Sequence, residues 1–113
     1  MATLTGFQQD RVGHFIEKDP FAVLDYTLDW TNWLPSGYNL SSITVTAETI
    51  SGDAAALTID SSTNTNKLAT AFISGGTVGN VYNVEYKITA TKGGATSIKD
   101  SRNFRIKVVE KQI

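Results

Sequence analysis

The side chains of this 113-residue chain offer few combinations that could do chemistry. His14 is its single histidine, and the chain has no cysteine. A nucleophilic triad needs a base such as histidine beside the nucleophile, and a zinc site needs several His or Cys ligands. Because His14 lies in a weakly patterned stretch, we interpret it as a surface residue. We therefore expect no enzyme activity, no bound metal and no cofactor.

The aspartates could work as paired carboxylates, so their spacing matters. Asp25 and Asp29 lie four residues apart on one face of a predicted strand, which separates them by roughly 13 Å. Two carboxylates that far apart cannot share a glycosidic bond. Asp53 and Asp60 fall in separate predicted loop regions, and neither follows the spacing of a calcium-binding loop. We interpret all four as structural or solvating residues that form Asx turns or protect strand edges.

Two further patterns could suggest a bound polyanion. The sequence GGTVG at residues 75–79 looks like a phosphate loop, but no Gly-Lys-Ser/Thr follows it, so we predict a turn. Asp100 and Glu110 are interspersed among the late basic residues, which indicates an exposed strand face; the basic residues are Lys99, Arg102, Arg105, Lys107 and Lys111. Ten basic and eleven acidic residues give a net charge of −1, which argues against nucleic acid as a partner.

We expect β-strands to position these side chains, because β-branched residues recur at every second position along most of the chain. The predicted strands cover residues 21–29, 42–49, a short run around Leu57 and Ile59, and then 68–74, 81–91 and 97–109. Lys18-Asp19-Pro20 is predicted as a turn and residues 60–66 as a polar loop. Turns every ~8–12 residues are typical of an immunoglobulin-like antiparallel two-sheet β-sandwich, here of about seven strands.

The domain organisation predicted from this pattern is simple. Residues 1–18, whose alternation is weak, form an N-terminal arm with at most one short paired segment, and residues 19–113 form the one sandwich domain. A chain of this length can bury enough surface for one core without disulfides. No stretch approaches the ~20 apolar residues of a membrane span, so we expect no membrane partner.

Both tryptophans fall in the stretch DYTLDWTNWL, residues 25–34. Trp30 continues the alternation of Tyr26 and Leu28 and is predicted to face the core, with Leu24 on the same side. Asp25 and Asp29, with Thr27 between them, are predicted to form the wet face of this strand. Trp33 lies beyond the alternation, so it either caps the core under the Pro35 loop or belongs to a contact surface.

The stretch KDPFAVLDYTLDWTNWL, residues 18–34, resembles the opening of a family of small tailed-bacteriophage structural proteins, the fibre–tail adaptors. The resemblance continues in AFISGGTVGNVYNVEYKITATKGG, residues 71–94, and in RNFRIKVVEK, residues 102–111. It thus covers most of residues 18–111 and is weaker over residues 40–66. It implies an immunoglobulin-like virion protein that joins receptor-binding fibres to the tail or neck, with no catalytic residues.

From this resemblance we expect a non-enzymatic virion protein that is assembled in the host bacterial cytoplasm. Its expected partners are other phage structural proteins (tail, neck, fibre or capsid subunits), including further copies of itself. The candidate contact residues are Phe7 and Phe15 in the arm, Trp33, and Tyr38 in the following loop. Two alternatives stay open: a capsid decoration protein, and a carbohydrate-binding module that stacks sugars on Trp33 and Tyr38.

Overall fold

The computed structural model describes residues 7–9, 11, 13–52 and 57–110, and these are folded entirely from strands and connecting turns. In chain order the strands are β1 Gln8–Gln9, β2 His14–Lys18, β3 Leu24–Asp29, β4 Asn39–Ser51, β5 Thr58–Asn64, β6 Leu68–Ser74, β7 Val81–Thr91 and β8 Ile98–Val108. The predicted all-β class is confirmed. Asp53 and Lys111 lie outside the described residues, as do residues 1–6 of the predicted arm.

The strands form two sheets that pack as a sandwich. The larger sheet has the order β1-β2-β8-β7-β4, and the smaller has the order β3-β6-β5. Neighbouring strands are antiparallel except β2 and β8, which run parallel. The two-sheet sandwich is therefore confirmed with one parallel pair added, while its immunoglobulin-like character stays a prediction.

The core between the sheets follows the predicted alternation. The inward-facing side chains of β7 and β8 are buried; they are Tyr82, Val84, Tyr86, Ile88, Ala90, Phe104, Ile106 and Val108. On the smaller sheet, the buried Ala69 and Ala71 leave room for aromatic rings, because neither fills the space in front of β6. Phe104 is buried in the core and stacks with Tyr26 of β3 at a centroid distance of 6.2 Å.

A hydrogen bond also joins the two sheets inside the core. The hydroxyl of Tyr86 on β7 donates to the carbonyl of Tyr26 on β3, at 2.6 Å. Burial raises the pKa of Tyr26 to about 12 and raises the pKa of Tyr86 as well, since an apolar environment disfavours the phenolate. Both phenols therefore stay neutral at physiological pH.

Several strand limits differ from the prediction: β4 extends over Asn39–Ser51 and β8 covers Ile98–Val108, and two further differences have local reasons. The predicted polar loop at residues 60–66 is wrong up to residue 64, because β5 continues to Asn64 and pairs with β6 after a bulge between Ile59 and Ser61. Its Ser and Thr side chains are exposed at the edge of the smaller sheet, so the strand carries no apolar alternation. The first predicted strand starts at Leu24 and not at residue 21, because a turn occupies residues 19–22.

The wet face predicted for β3 is only partly correct. Asp29 is exposed, but Asp25 and Thr27 are buried, and Leu24 on the predicted core side is 43% exposed. Thr27 and Thr70 share a hydrogen bond of 2.9 Å between their hydroxyls, and the register partner of Asp25 is Phe72. Side chains of β6 thus cover this face, whereas Leu24 lies at the strand end, where the core stops.

The last five residues of the predicted arm form β2 and belong to the larger sheet. Ile16 and Lys18 are buried, and the register aligns Ile16 with Ile106 and Lys18 with Val108. The boundary predicted at residue 18 stays a prediction, but the structure shows regular pairing on its N-terminal side.

Candidate contact surfaces at the two ends of the sandwich

The tryptophan end of the sandwich consists of the β3–β4 connection, residues 30–38, and the β7–β8 hairpin, residues 92–97. The amides of Trp33 and Leu34 both donate to the carbonyl of Trp30, which folds the chain back directly after β3. The carboxylate of Asp29 prepares this turn, since its Oδ1 accepts from the amide of Thr31 at 2.9 Å and from the Thr31 hydroxyl at 2.5 Å. Asp29 thus forms an Asx turn, one of the two roles expected for the aspartates.

These two hydrogen bonds also set the charge state of Asp29. Bonds from the Thr31 hydroxyl and amide stabilise the ionised form, so they lower the pKa of Asp29 from its ordinary value. The guanidinium of Arg102 adds a smaller effect in the same direction. The carboxylate is exposed, and its role is to hold the turn.

Trp30 is the largest fully buried side chain among the described residues, and its burial agrees with the prediction. The ring of Trp33 meets it edge to face at a centroid distance of 5.5 Å, and the guanidinium of Arg102 lies 4.1 Å from the centre of the Trp30 ring. The indole Nε1 of Trp30 is a buried atom without a hydrogen-bond partner among the described residues. The ring is therefore held by packing and by a cation–π contact.

Tyr38 links the β3–β4 connection to the hairpin of the larger sheet. Its hydroxyl donates to the carbonyl of Thr96 at 2.9 Å, and its own carbonyl accepts from the ammonium of Lys67 at 2.8 Å. Trp33 and Tyr38 are both half-buried and pack against the core. The candidate contact residues of this end are therefore engaged in holding the fold, and a contact role for them stays a prediction.

The two arm phenylalanines lie on different sides of the larger sheet. Phe7 packs against the core and meets Phe104 edge to face at 5.0 Å. Phe15 lies on the outer face, where Lys107 Nζ is 3.8 Å and Arg105 Cζ is 5.5 Å from the centre of its ring. The structure does not bring the four candidate contact residues into one patch.

The opposite end of the sandwich, here called the Phe21 end, comprises residues 18–24, 50–52, 57–58, 72–81 and 108–110. The register joins these segments: Leu24 pairs with Ile73, Ser51 with Val81, and Val81 with Lys107. The glycine-rich connection closes this end, as predicted for a turn. Gly76 has a φ of 102°, and a Cβ there would lie 2.6 Å from Val108, so the close approach requires glycine.

A tight turn at this end presents Phe21 to solvent. Asp19 Oδ1 accepts from the amide of Phe21 at 2.8 Å, and the carbonyl of Asp19 accepts from the amide of Ala22 at 3.0 Å. Pro20 lies between them, where its fixed φ suits the second position of a turn. The Phe21 side chain is 92% exposed.

Lys18 ties the larger sheet to this turn. It is only 1% exposed, and its ammonium donates to the carbonyls of Gly75 at 2.7 Å and Asp19 at 2.9 Å. Burial lowers the pKa of Lys18, while the nearby carboxylates of Asp19 and Asp60 act in the opposite direction. The buried charge therefore serves as a cross-link between the end of β2 and the connection after β6.

Phe21 was missed as a candidate contact residue because the alternation places it in a strand. The signal that could have found it is the sequence Asp-Pro-Phe itself. An Asx residue followed by proline forms a turn, and the next side chain then projects from a turn and not from a sheet face.

The fold and these surfaces define a small all-β structural domain with hydrogen-bonded turns at both ends. Within the part of the chain that the structure describes, no cluster of three or more His, Cys, Asp or Glu side chains could hold a metal ion. The same residues include no helix long and apolar enough to cross a membrane.

Comparison with known protein families assigns this domain to one of them. Residues 18–106 match the family model of the podophage GP4 fiber-tail adaptor protein gp77. The chain belongs to this family of phage fibre–tail adaptors, as the resemblance in its sequence predicted. Comparison with curated proteins and with solved structures finds no match.

Proposed function

We propose that this protein is a non-enzymatic component of a phage particle that joins a fibre to the tail or neck through protein–protein contacts. The observation that carries the proposal is membership of the fibre–tail adaptor family over residues 18–106. It favours this role over the two alternatives, a capsid decoration protein and a carbohydrate-binding module.

The architecture supports a bridging role because an adaptor needs two separated surfaces on one rigid body. The described part of the chain extends 49 Å along its longest axis, and turns fixed by side-chain hydrogen bonds close both ends. Several copies around a symmetric tail would add avidity, so each single contact need not be strong. We propose assembly from folded chains in the host bacterial cytoplasm, with further copies of the same chain as neighbours in the particle.

Quantitative mass spectrometry of purified particles tests this function. We expect this protein at roughly a few to a dozen copies per particle, as a tail-bound ring requires. Particles of a phage that lacks its gene should keep the capsid and tail subunits and lose the fibre protein.

Two results would count against the adaptor role. A copy number in the hundreds would favour capsid decoration. Particles without this protein that still contain a normal amount of fibre would show that the fibre is attached in another way.

A further inference from the structure

The exposed apolar side chains of this protein gather at one end of the sandwich. Six large hydrophobic residues are exposed among the described ones, Phe21 almost fully and the others by about half: Phe21, Val23, Leu24, Ile50, Phe72 and Val78. Phe21, Val23 and Leu24 precede or begin β3, and Phe72 pairs with the next residue, Asp25. Val78 lies in the β6–β7 connection and Ile50 near the end of β4, so all six belong to the Phe21 end. Clustered exposure of this kind marks interaction surfaces, whereas isolated exposed residues need no explanation.

The fold holds Phe21 in its exposed position. Pro20 restricts the backbone of the turn. The side chain of Asp19 accepts a hydrogen bond from the amide of Phe21, and its carbonyl accepts one from the amide of Ala22. Because Lys18 binds the Asp19 carbonyl and the Gly75 carbonyl, the turn is also anchored to the body of the sandwich. An aromatic side chain on a fixed backbone loses little conformational freedom when it is buried by a partner, and such residues are the usual anchors of interfaces.

We propose that the Phe21 end is a docking surface for a different structural protein of the particle, one that offers an apolar recess edged by basic side chains. The inference rests on the proposed adaptor function and names the surface and the chemistry of one of its partners. Phe21 is the anchor that enters the recess, with Val23, Leu24 and Phe72 beside it.

The charges around this end indicate the basic edge of the partner. Asp19 lies in the turn itself, Asp60 accepts a hydrogen bond from Ser74 at the end of β6, and Glu110 follows β8. Of the cations nearby, Lys18 is buried and donates to two carbonyl groups, and the ammonium of Lys107 lies on the ring of Phe15. The carboxylates of Asp19, Asp60 and Glu110, here called the rim, therefore present negative charge to an incoming surface. Complementary basic groups would direct encounter and fix the orientation of the complex.

The lysine-bearing surface of a second copy of this chain is a poorer occupant. A depression of about 450 Å³ on the outer face of the larger sheet does carry lysines. Its side chains are mainly hydroxyl and charged groups, among them Ser42, Thr44, Lys87 and Lys99. Such walls suit the carboxylates of the rim but give Phe21 no apolar recess to fill.

Site-specific photocrosslinking in assembled particles tests the proposal. A phage that lacks the gene is grown in cells that supply the protein with p-benzoylphenylalanine at position 21, at position 23, or at Thr46. Thr46 is the matched control because it is exposed in the middle of β4, away from both ends. After irradiation of purified particles, we expect adducts with one other virion protein from positions 21 and 23 and none from position 46.

Substitution provides the second measurement. Phe21→Ser should lower the amount of this protein in purified particles at least about tenfold relative to Thr46→Ser, while thermal unfolding of the isolated variant stays unchanged. Adducts only between two copies of this chain, or particles with normal amounts of Phe21→Ser protein, would overturn the docking surface. Wild-type protein that is absent from particles would instead overturn the adaptor function, and the docking surface with it.

Discussion

The two ends of the sandwich use aromatic side chains in opposite ways. At the tryptophan end, Trp30 is completely buried and Trp33 packs on it edge to face. At the Phe21 end, a turn of the same kind leaves its aromatic side chain 92% exposed. Both turns begin with an aspartate whose carboxylate accepts the amide two residues later, Asp29 in one and Asp19 in the other. The same side-chain hydrogen bond therefore stabilises both turns, and the turns differ in whether the nearby aromatic side chain is buried or exposed.

That difference shows how little aromatic content alone says about a contact surface. The chain places both tryptophans in one short stretch, yet they hold the β3–β4 connection against the core. The two turns also close differently. The turn with Pro20 closes through one amide, that of Ala22, which donates to the Asp19 carbonyl, whereas two amides after Trp30 donate to its carbonyl. We expect the tryptophan end to contribute mainly to stability and the Phe21 end mainly to assembly.

Of the substitutions at the two ends of the sandwich, Trp30→Ala should lower the free energy of unfolding most. Removing a completely buried indole leaves a cavity between the sheets and exposes the ring of Trp33, so we expect a loss of about 3–5 kcal/mol in the free energy of unfolding. Urea denaturation monitored by circular dichroism measures it. A loss below about 1 kcal/mol would mean that the tryptophan end does not hold the fold.

Trp33→Ala should have the next largest effect, since its ring is only half-buried but covers Trp30. We expect a loss of about 1–3 kcal/mol in the same experiment, because less area is removed from the core than at Trp30. The amount of the variant in purified particles should fall no more than its lower stability explains. Unchanged stability together with lost incorporation would assign Trp33 to a contact surface, the alternative left open by the sequence.

The fold was largely predictable because alternation reports burial directly. The limits of β6 and β7 agree with the prediction, and so does the inward-facing side of β7, from Tyr82 to Ala90. Alternation fails where burial does not depend on the opposite sheet. Thr27 is buried by Thr70 on its own sheet, and Lys18 is buried because two carbonyls accept its ammonium. Neither arrangement produces an alternating pattern of apolar and polar residues in the sequence.

The candidate contact residues were less predictable for a related reason. Aromatic type identifies residues that can form either a core or an interface, and only the backbone path decides between them. Phe7 and Phe15 lie within one predicted arm, yet one contacts the core ring of Phe104 and the other lies on the outer face beside Lys107. The antiparallel pairing of β1 with β2 produces this separation, because Gln8 is the register partner of Phe15 and Phe7 next to it faces the other side of the sheet. The local sequence of the arm does not reveal that pairing.

Asp29→Asn should have a small and pH-dependent effect at the tryptophan end. The folded state lowers the pKa of Asp29 from its ordinary value, so its contribution to stability is present above that ordinary value and is lost as the pH falls through the folded-state pKa. For an exposed group we expect less than about 0.5 kcal/mol between wild type and variant at neutral pH. Urea denaturation across the acid range should show the two stabilities converging, and a difference that grows toward low pH would contradict this account.

Phe21→Ser should have the smallest effect on stability of all. The side chain is almost fully exposed, and the hydrogen bonds of the turn come from the Asp19 side chain and from backbone groups, which serine leaves in place. We expect a change within about 0.5 kcal/mol in urea denaturation. The matched control is Phe104→Ser, the same substitution at a ring that contacts Phe7, Tyr26 and Tyr86, and it should cost more than about 3 kcal/mol. A loss above about 1 kcal/mol for Phe21→Ser would show that the Phe21 end, too, is built for stability, and the contrast between the two ends would disappear.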